Sequence, residues 1–159
     1  WFAGGTVWMD PEGRPCRCVR ARRFSKYLLE HGHIPVWGPS SFFSRELFKK
    51  TSGFRVDYHY MMDTDLWFRF HYDCGAVYDP LPGYIFGLRM HPDAKTSGFM
   101  FKGSSMSAPN SRGRLAQERE SNDMRSRYPV RTMNFLRRQF AFRGLQWFAE
   151  TFDLWRMKR

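Results

Sequence analysis

Asp63-Thr64-Asp65-Leu66-Trp67-Phe68-Arg69-Phe70 sets two carboxylates two positions apart at the head of an aromatic run. Two chemistries suit that pattern. An acidic helix start on a rigid, aromatic-anchored element suits a carboxylate that must be aimed. Asp-x-Asp is also the simplest pattern for a divalent cation that bridges phosphates. The ordinary reading is that acids in a first helical turn complement the helix dipole and do nothing more. The element that would aim these groups is a helix. Leu66 and Phe70, four apart with Trp67 beside them, predict one buried face. Asp63 stands where an N-cap belongs, so its carboxylate is expected to accept the free N–H groups of the first turn. Asp65 and Arg69, also four apart, are expected to pair on the helix surface.

The bulk numbers bound the class. The chain has 159 residues, enough for one domain or a fragment of something larger. Its 16 Phe and 6 Trp provide ample core material, while a mean hydropathy of -0.60 and 26% charged residues argue for a soluble protein. No run of about 18 apolar residues is present, so no membrane-spanning helix is expected. The start, Trp1-Phe2-Ala3-Gly4-Gly5, has neither a signal-peptide pattern nor an initiator Met and reads as cut from a longer chain. The net charge is +11, and the stretch from Arg112 to Arg159 carries 12 Arg/Lys against 5 Asp/Glu. Such a segment favours phosphate-bearing partners: nucleic acid, anionic lipid or a nucleotide. Cys16, Cys18 and Cys74 are odd in number, which fits a reducing compartment, and Cys16-Arg17-Cys18 lacks a second pair at zinc spacing.

Taken in order, Trp1 to Met9 predicts a strand, Asp10-Pro11-Glu12-Gly13 a turn, and Arg14 to Val19 the returning strand of a hairpin. Phe24 to Glu30 reads as a short helix ending near Gly32. Ile34 to Pro39, with two prolines, is an extended or edge segment. Ser40 or Ser41 is expected to cap a helix over Ser44 to Lys50, with Gly53 just beyond its end. After the acidic helix, Gly75 is a stop, Ala76-Val77-Tyr78 a short buried strand and Gly83 to Met90 another. Thr96 to Ser111 is a Gly/Ser/Met loop. Two helices follow, a polar and exposed one over Arg114 to Arg127 and a second over Thr132 to Trp155. Alternating strands and helices give an α/β class.

In that order the motifs resemble the second half of family 2 glycosyltransferases, inverting enzymes with a GT-A fold. The resemblance rests on Pro39 to Phe48, Gly53-Phe54, Met62 to Phe70, Asp79-Pro80-Leu81-Pro82 and Arg89 to Thr96. The hairpin from Gly4-Gly5 to Gly13 is similar to the strand and turn just past the family's metal motif. The likeness covers about residues 1 to 96. It implies a partial GT-A-like mixed sheet flanked by helices over residues 1–111, followed by a basic helical tail over 112–159.

The chemistry implied is a single displacement at the anomeric carbon of a nucleotide-sugar donor by a hydroxyl of a glycan or lipid-linked acceptor. Asp63 matches the family's catalytic base, although Met62 stands where the family often has Glu. The resemblance places Trp37, Ser40, Asp65, Arg89, Lys95 and Thr96 near substrate. His91 matches a position that in some members adds a ligand to a Mn²⁺ or Mg²⁺ ion at the leaving diphosphate. Ordinary alternatives stand beside each: packing for Trp37 and Ser40, helix capping for Asp65, surface charge for Arg89, Lys95 and Thr96, and a strand-end histidine for His91. The family's nucleotide-binding half, with its own Asp-x-Asp and the main metal ligands, would lie before Trp1. This chain alone is therefore expected to be inactive.

Between Thr132 and Trp155 run Phe135, Leu136, Phe140, Leu145, Trp147, Phe148, Phe152 and Trp155, with Arg137, Arg138 and Arg143 among them. An Arg-laced aromatic helix can lie in a membrane interface, or pack against the domain or a second copy. Two function classes follow. One is a glycosyltransferase, or its acceptor-side half, in polysaccharide or glycoconjugate synthesis. The other is a non-catalytic basic module that binds membrane or nucleic acid through its C-terminal helices; no nucleic-acid motif is visible. The enzyme reading implies a cytoplasmic site with peripheral contact at the inner membrane face through 132–155. An exposed sheet edge would favour a homodimer.

Overall fold

The strand from Phe2 to Met9 (β1) is buried along most of its length because other strands occupy both of its edges. The computed structural model describes residues 1–31, 36, 38–91, 111–128 and 145–157, with backbone alone for 111, 112, 114 and 145–150. The hairpin expected from the turn residues is present. Gly13 takes a φ of +85° and its N–H reaches the Asp10 carbonyl at 3.0 Å, returning the chain into Pro15–Val19 (β2), antiparallel to β1. Ser41–Phe42 (β3) pairs antiparallel with Ala3 and Phe2. Asp79–Arg89 (β4) runs parallel to β1 from Phe2 to Met9. The sheet is therefore mixed, with helices around it, as the α/β reading expected.

Two strands were expected where β4 runs as one. Ala76 to Tyr78 is irregular, and the strand starts at Asp79 and continues through Pro80 and Pro82. Among the described residues β4 pairs only with β1, so its outer edge tolerates the missing proline donors. The strand survives as one piece because the register with β1 slips around Gly5. A Cβ on Gly5 would stand 2.7 Å from the Gly83 carbonyl, and Gly83 itself takes a φ of +84°. Glycine at both points lets the backbones approach and the bulge form.

Ser25 caps the helix Lys26–Glu30 (α1) by accepting the Leu28 N–H. The next helix, Arg45–Lys50 (α2), is capped by Ser44, which accepts the Leu47 N–H at 3.1 Å. This corrects the expectation that Ser40 or Ser41 would cap it: Ser40 ends a single 3-10 turn, Gly38–Ser40, and Ser41 begins β3.

Met62–Tyr72 (α3) is the centre of the packing. A single buried face was expected, yet Leu66, Trp67, Phe68 and Phe70 are all at most 2% exposed. Leu66, Trp67 and Phe70 meet Trp1, Phe43, Leu47 and Phe48, with Trp1 and Trp67 stacked at 5.0 Å between ring centroids. Phe68 turns the other way, into a cluster with Leu29, Tyr58 and Met124. Each such side chain contributes about 1.5–3 kcal/mol on burial, so α3 is fixed from two sides. Gly75, with a φ of +66°, closes the helix through its N–H to the His71 carbonyl at 3.0 Å.

Met124 lies on Ser111–Arg127 (α4), so this helix is not the wholly exposed one expected; its 1% exposed Met124 ties it to α3. The last described helix is Leu145–Met157 (α5). Asp153 receives Arg20 from just beyond β2 and the Tyr84 hydroxyl from β4, and Cys18 Sγ lies 3.7 Å from Met157 Sδ. No helix among the described residues is long and apolar enough to cross a membrane. The expected helix start at Thr132 and the loop from Thr96 to Asn110 lie outside the described residues.

Candidate active site at the start of α3

Helix α3 begins earlier than its sequence suggests. Its first residue is Met62, and Met61 precedes it without any side-chain cap. Asp63 is therefore not the N-cap. It sits inside the first turn, where its Oδ1 accepts the N–H of Thr64 at 2.7 Å. The first helical bond, from Asp65 N–H to the Met61 carbonyl at 2.8 Å, places both acids in that turn. There the helix dipole favours their negative charge.

The loop that enters the helix is held from elsewhere in the chain. Glu120 of α4 accepts the His59 N–H on Oε1 at 2.9 Å, and the Tyr60 and Met61 N–H groups on Oε2 at 2.7 and 2.9 Å. Partial burial pushes the Glu120 carboxyl up, but the three backbone donors outweigh it and hold the group below its ordinary value. The same loop is gripped twice more. Tyr58 donates its hydroxyl to Asp123, and burial with this bond raises the Tyr58 pKa. A Cβ on Gly113 would come 2.7 Å from the Tyr60 hydroxyl, so the start of α4 also presses on this loop.

On its other side Asp63 faces the 3-10 turn. A Cβ on Gly38 would stand 2.6 Å from Asp63 Oδ2, so only glycine leaves the carboxylate where it is. Asp63 itself is half-buried. It is a carboxylate carried by a rigid helix and backed by one turn.

Asp65 lies differently from its surface-pair expectation. It is 1% exposed, and Arg69 Nε donates to its Oδ2 at 2.7 Å inside the core. Burial pushes the Asp65 carboxyl up, against the nearby Arg69 charge. Arg69 also donates Nη1 to the Thr51 and Gly53 carbonyls, fastening the loop after α2 to α3. Asp65 thus holds Arg69, and through it a loop, from a position sealed away from solvent. Ser40 is likewise fully buried.

Arg89 is exposed at the end of β4, opposite Met9, and His91 is exposed two residues on. Trp37, Lys95 and Thr96 lie outside the described residues. No group of three His, Cys, Asp or Glu side chains gathers at metal-binding distance among the described residues.

Two residues at the site escaped the sequence reading. Gly38 lies between Trp37 and Pro39 and was read only as part of an extended segment. Glu120 had a usable signal: Glu120, Met124 and Tyr128 recur every four residues, which marks one face of α4 as docked. Comparison with family models, with curated proteins and with solved structures returns no match for this chain.

Proposed function

We propose that the chain is the acceptor-side half of an inverting glycosyltransferase, with Asp63 as the general base. The observation that carries this reading is the placement of Asp63: half-buried in the first turn of a doubly packed helix, with the Gly38 backbone against its Oδ2. In the reaction the acceptor hydroxyl oxygen bonds to the anomeric carbon of a nucleotide-sugar as the bond to the diphosphate breaks. The hydroxyl proton passes to Asp63, and the electron pair leaves with the diphosphate. A fixed carboxylate suits that role because little reorganisation remains to be done at the moment of reaction. Mn²⁺ or Mg²⁺ would stabilise the departing diphosphate, with its main ligands outside the described residues. The exposed Arg89, together with Trp37, Lys95 and Thr96, is assigned by the family resemblance to substrate contact.

The test is a screen of nucleotide-sugars for metal-supported donor hydrolysis and transfer by the full-length protein. Transfer to a hydroxyl acceptor with inversion at the anomeric carbon is the expected result. No donor binding and no turnover across the common nucleotides would overturn the reading.

A second reading has one observation in its favour. Phe152 and Trp155 of α5 are 59% and 49% exposed with ring centroids 5.8 Å apart, and Arg156 follows them. An aromatic pair beside cations suits contact with an anionic membrane surface. This fits a peripheral enzyme or a non-catalytic basic module. Binding to vesicles containing anionic lipid, with Phe152→Ser and Trp155→Ser as variants, separates these from a merely solvated helix.

A further inference from the structure

Helix N-termini leave backbone N–H groups without intrahelical partners, and a local side chain usually supplies the acceptor. Here Met61 supplies none. The acceptor for the loop entering the helix is instead Glu120, some sixty residues later in the chain and on a different helix. One carboxylate gathers three consecutive N–H groups, of His59, Tyr60 and Met61, using both of its oxygens. Met61 is also the residue whose carbonyl receives the first helical bond of α3, from Asp65. Fixing Met61 therefore fixes the turn that carries Asp63.

The grip is built rather than incidental. Along α4, Gly113 approaches Tyr60, Glu120 binds the loop backbone, Asp123 binds Tyr58, and Met124 enters the core beside Phe68. Of these, Glu120 alone bonds the backbone of the loop that enters α3; Met124 docks the helix as a whole. We propose that Glu120 is a positioning residue for Asp63, an anchor supplied from α4 to the loop entering α3 that sets the aim of the acidic turn. This rests on the glycosyltransferase reading for its catalytic meaning, but the positioning itself can be tested without turnover.

The N–H of Thr64 reports where the Asp63 carboxylate lies, because it is bonded to Asp63 Oδ1. In the full-length protein, Glu120→Ala is expected to speed hydrogen exchange at the amides of 59–61 by about tenfold or more, the scale of losing charge-assisted bonds. The Thr64 amide resonance is expected to shift, while exchange at Leu66 to Phe70 stays as in wild type. Glu120→Gln, with one carbonyl oxygen left to accept, is expected to fall between the two. Met124→Ala serves as the comparison: it loosens the docking of α4 and leaves the Glu120 carboxylate in place. Unchanged exchange at 59–61, or an unmoved Thr64 resonance, would overturn the proposal. So would loss of protection spread evenly along α3 in Glu120→Ala, as in Met124→Ala, because that marks general loosening. In a transfer assay the proposal predicts a lower kcat with donor KM retained for Glu120→Ala. A changed Thr64 resonance with kcat unaltered would overturn the catalytic half of the claim. Absence of transfer by the wild type would instead sink the functional reading and leave the exchange result to decide the anchor.

Discussion

Helices α3 and α5 look alike as strings of aromatics and arginines, and the protein uses them in opposite ways. In α3, Trp67, Phe68 and Phe70 are sealed, with Trp1, Phe43 and Phe48 on one side and Tyr58 and Met124 on the other. In α5, Phe152 and Trp155 stand out from the surface, and the described contacts to the sheet are made by Asp153 and Met157. The difference lies in the partners, since Trp1, Phe43 and Tyr128 bring rings to α3 from separate segments of chain. A helix held that firmly is a platform on which a carboxylate can be aimed, whereas the described side chains of α5 leave both rings at the surface.

Truncation should separate the two most sharply. Trp67→Ala is expected to cost about 3–5 kcal/mol in denaturant unfolding, the range for buried aromatics. Phe152→Ala is expected to stay within about 0.5 kcal/mol, as for surface positions. Comparable losses at the two sites would break the contrast.

Next in size is the buried pair. Arg69→Ala strands Asp65 in the core and releases the Thr51 and Gly53 carbonyls, at a cost of about 3 kcal/mol. Asp65 can respond by taking up a proton, since burial already pushes its carboxyl up. The variant should therefore unfold with altered proton uptake, measurable from the pH dependence of its midpoint.

Gly38→Ala is expected to cost about 1–3 kcal/mol as overpacking, and to displace Asp63. Its effect on transfer should exceed its effect on stability. An active, stable Gly38→Ala protein would show that the turn does not bear on the carboxylate.

A pH effect follows from Glu120. Its carboxyl is held below the ordinary glutamate value in the folded protein, because three backbone donors outweigh its partial burial. The stability it gives is fully present above the unfolded-state value and is lost as pH falls through the lowered folded value. Glu120→Gln should flatten stability against pH across that acidic window, read from denaturation midpoints. A small effect is also expected at the ion pair of the tail. Arg20 and Asp153 form a pair that is 50% and 15% exposed, so Asp153→Asn should cost at most about 1 kcal/mol.

Much of this was legible in the residues. The hairpin around Gly13, the helix stop at Gly75 and the ring-bearing helix at Leu66 to Phe70 each follow from local chemistry, and each is present. The misses share a physical cause. Asp63 has the right chemistry for a cap, but Glu120 supplies acceptors to the preceding loop and the helix starts one residue before Asp63. Asp65 and Arg69 have surface-pair spacing, but the loop carbonyls of Thr51 and Gly53 fold over them. Ser44 takes the cap expected of Ser40 or Ser41 because those residues enter a 3-10 turn and β3. In every case a residue distant in sequence decides among local options that are close in energy, and no local pattern contains it.

The central claim is that Asp63 is a base, and the most direct measurement compares Asp63→Asn with wild type in the full-length protein with Mn²⁺ or Mg²⁺ present. Asparagine keeps the shape and the acceptor for the Thr64 N–H but cannot take the proton. Transfer is expected to fall by about 10²-fold or more, the scale of a lost general base, while donor binding by calorimetry is unchanged. Transfer at the wild-type rate would contradict it and leave Asp63 as an ordinary acid at the positive end of a helix.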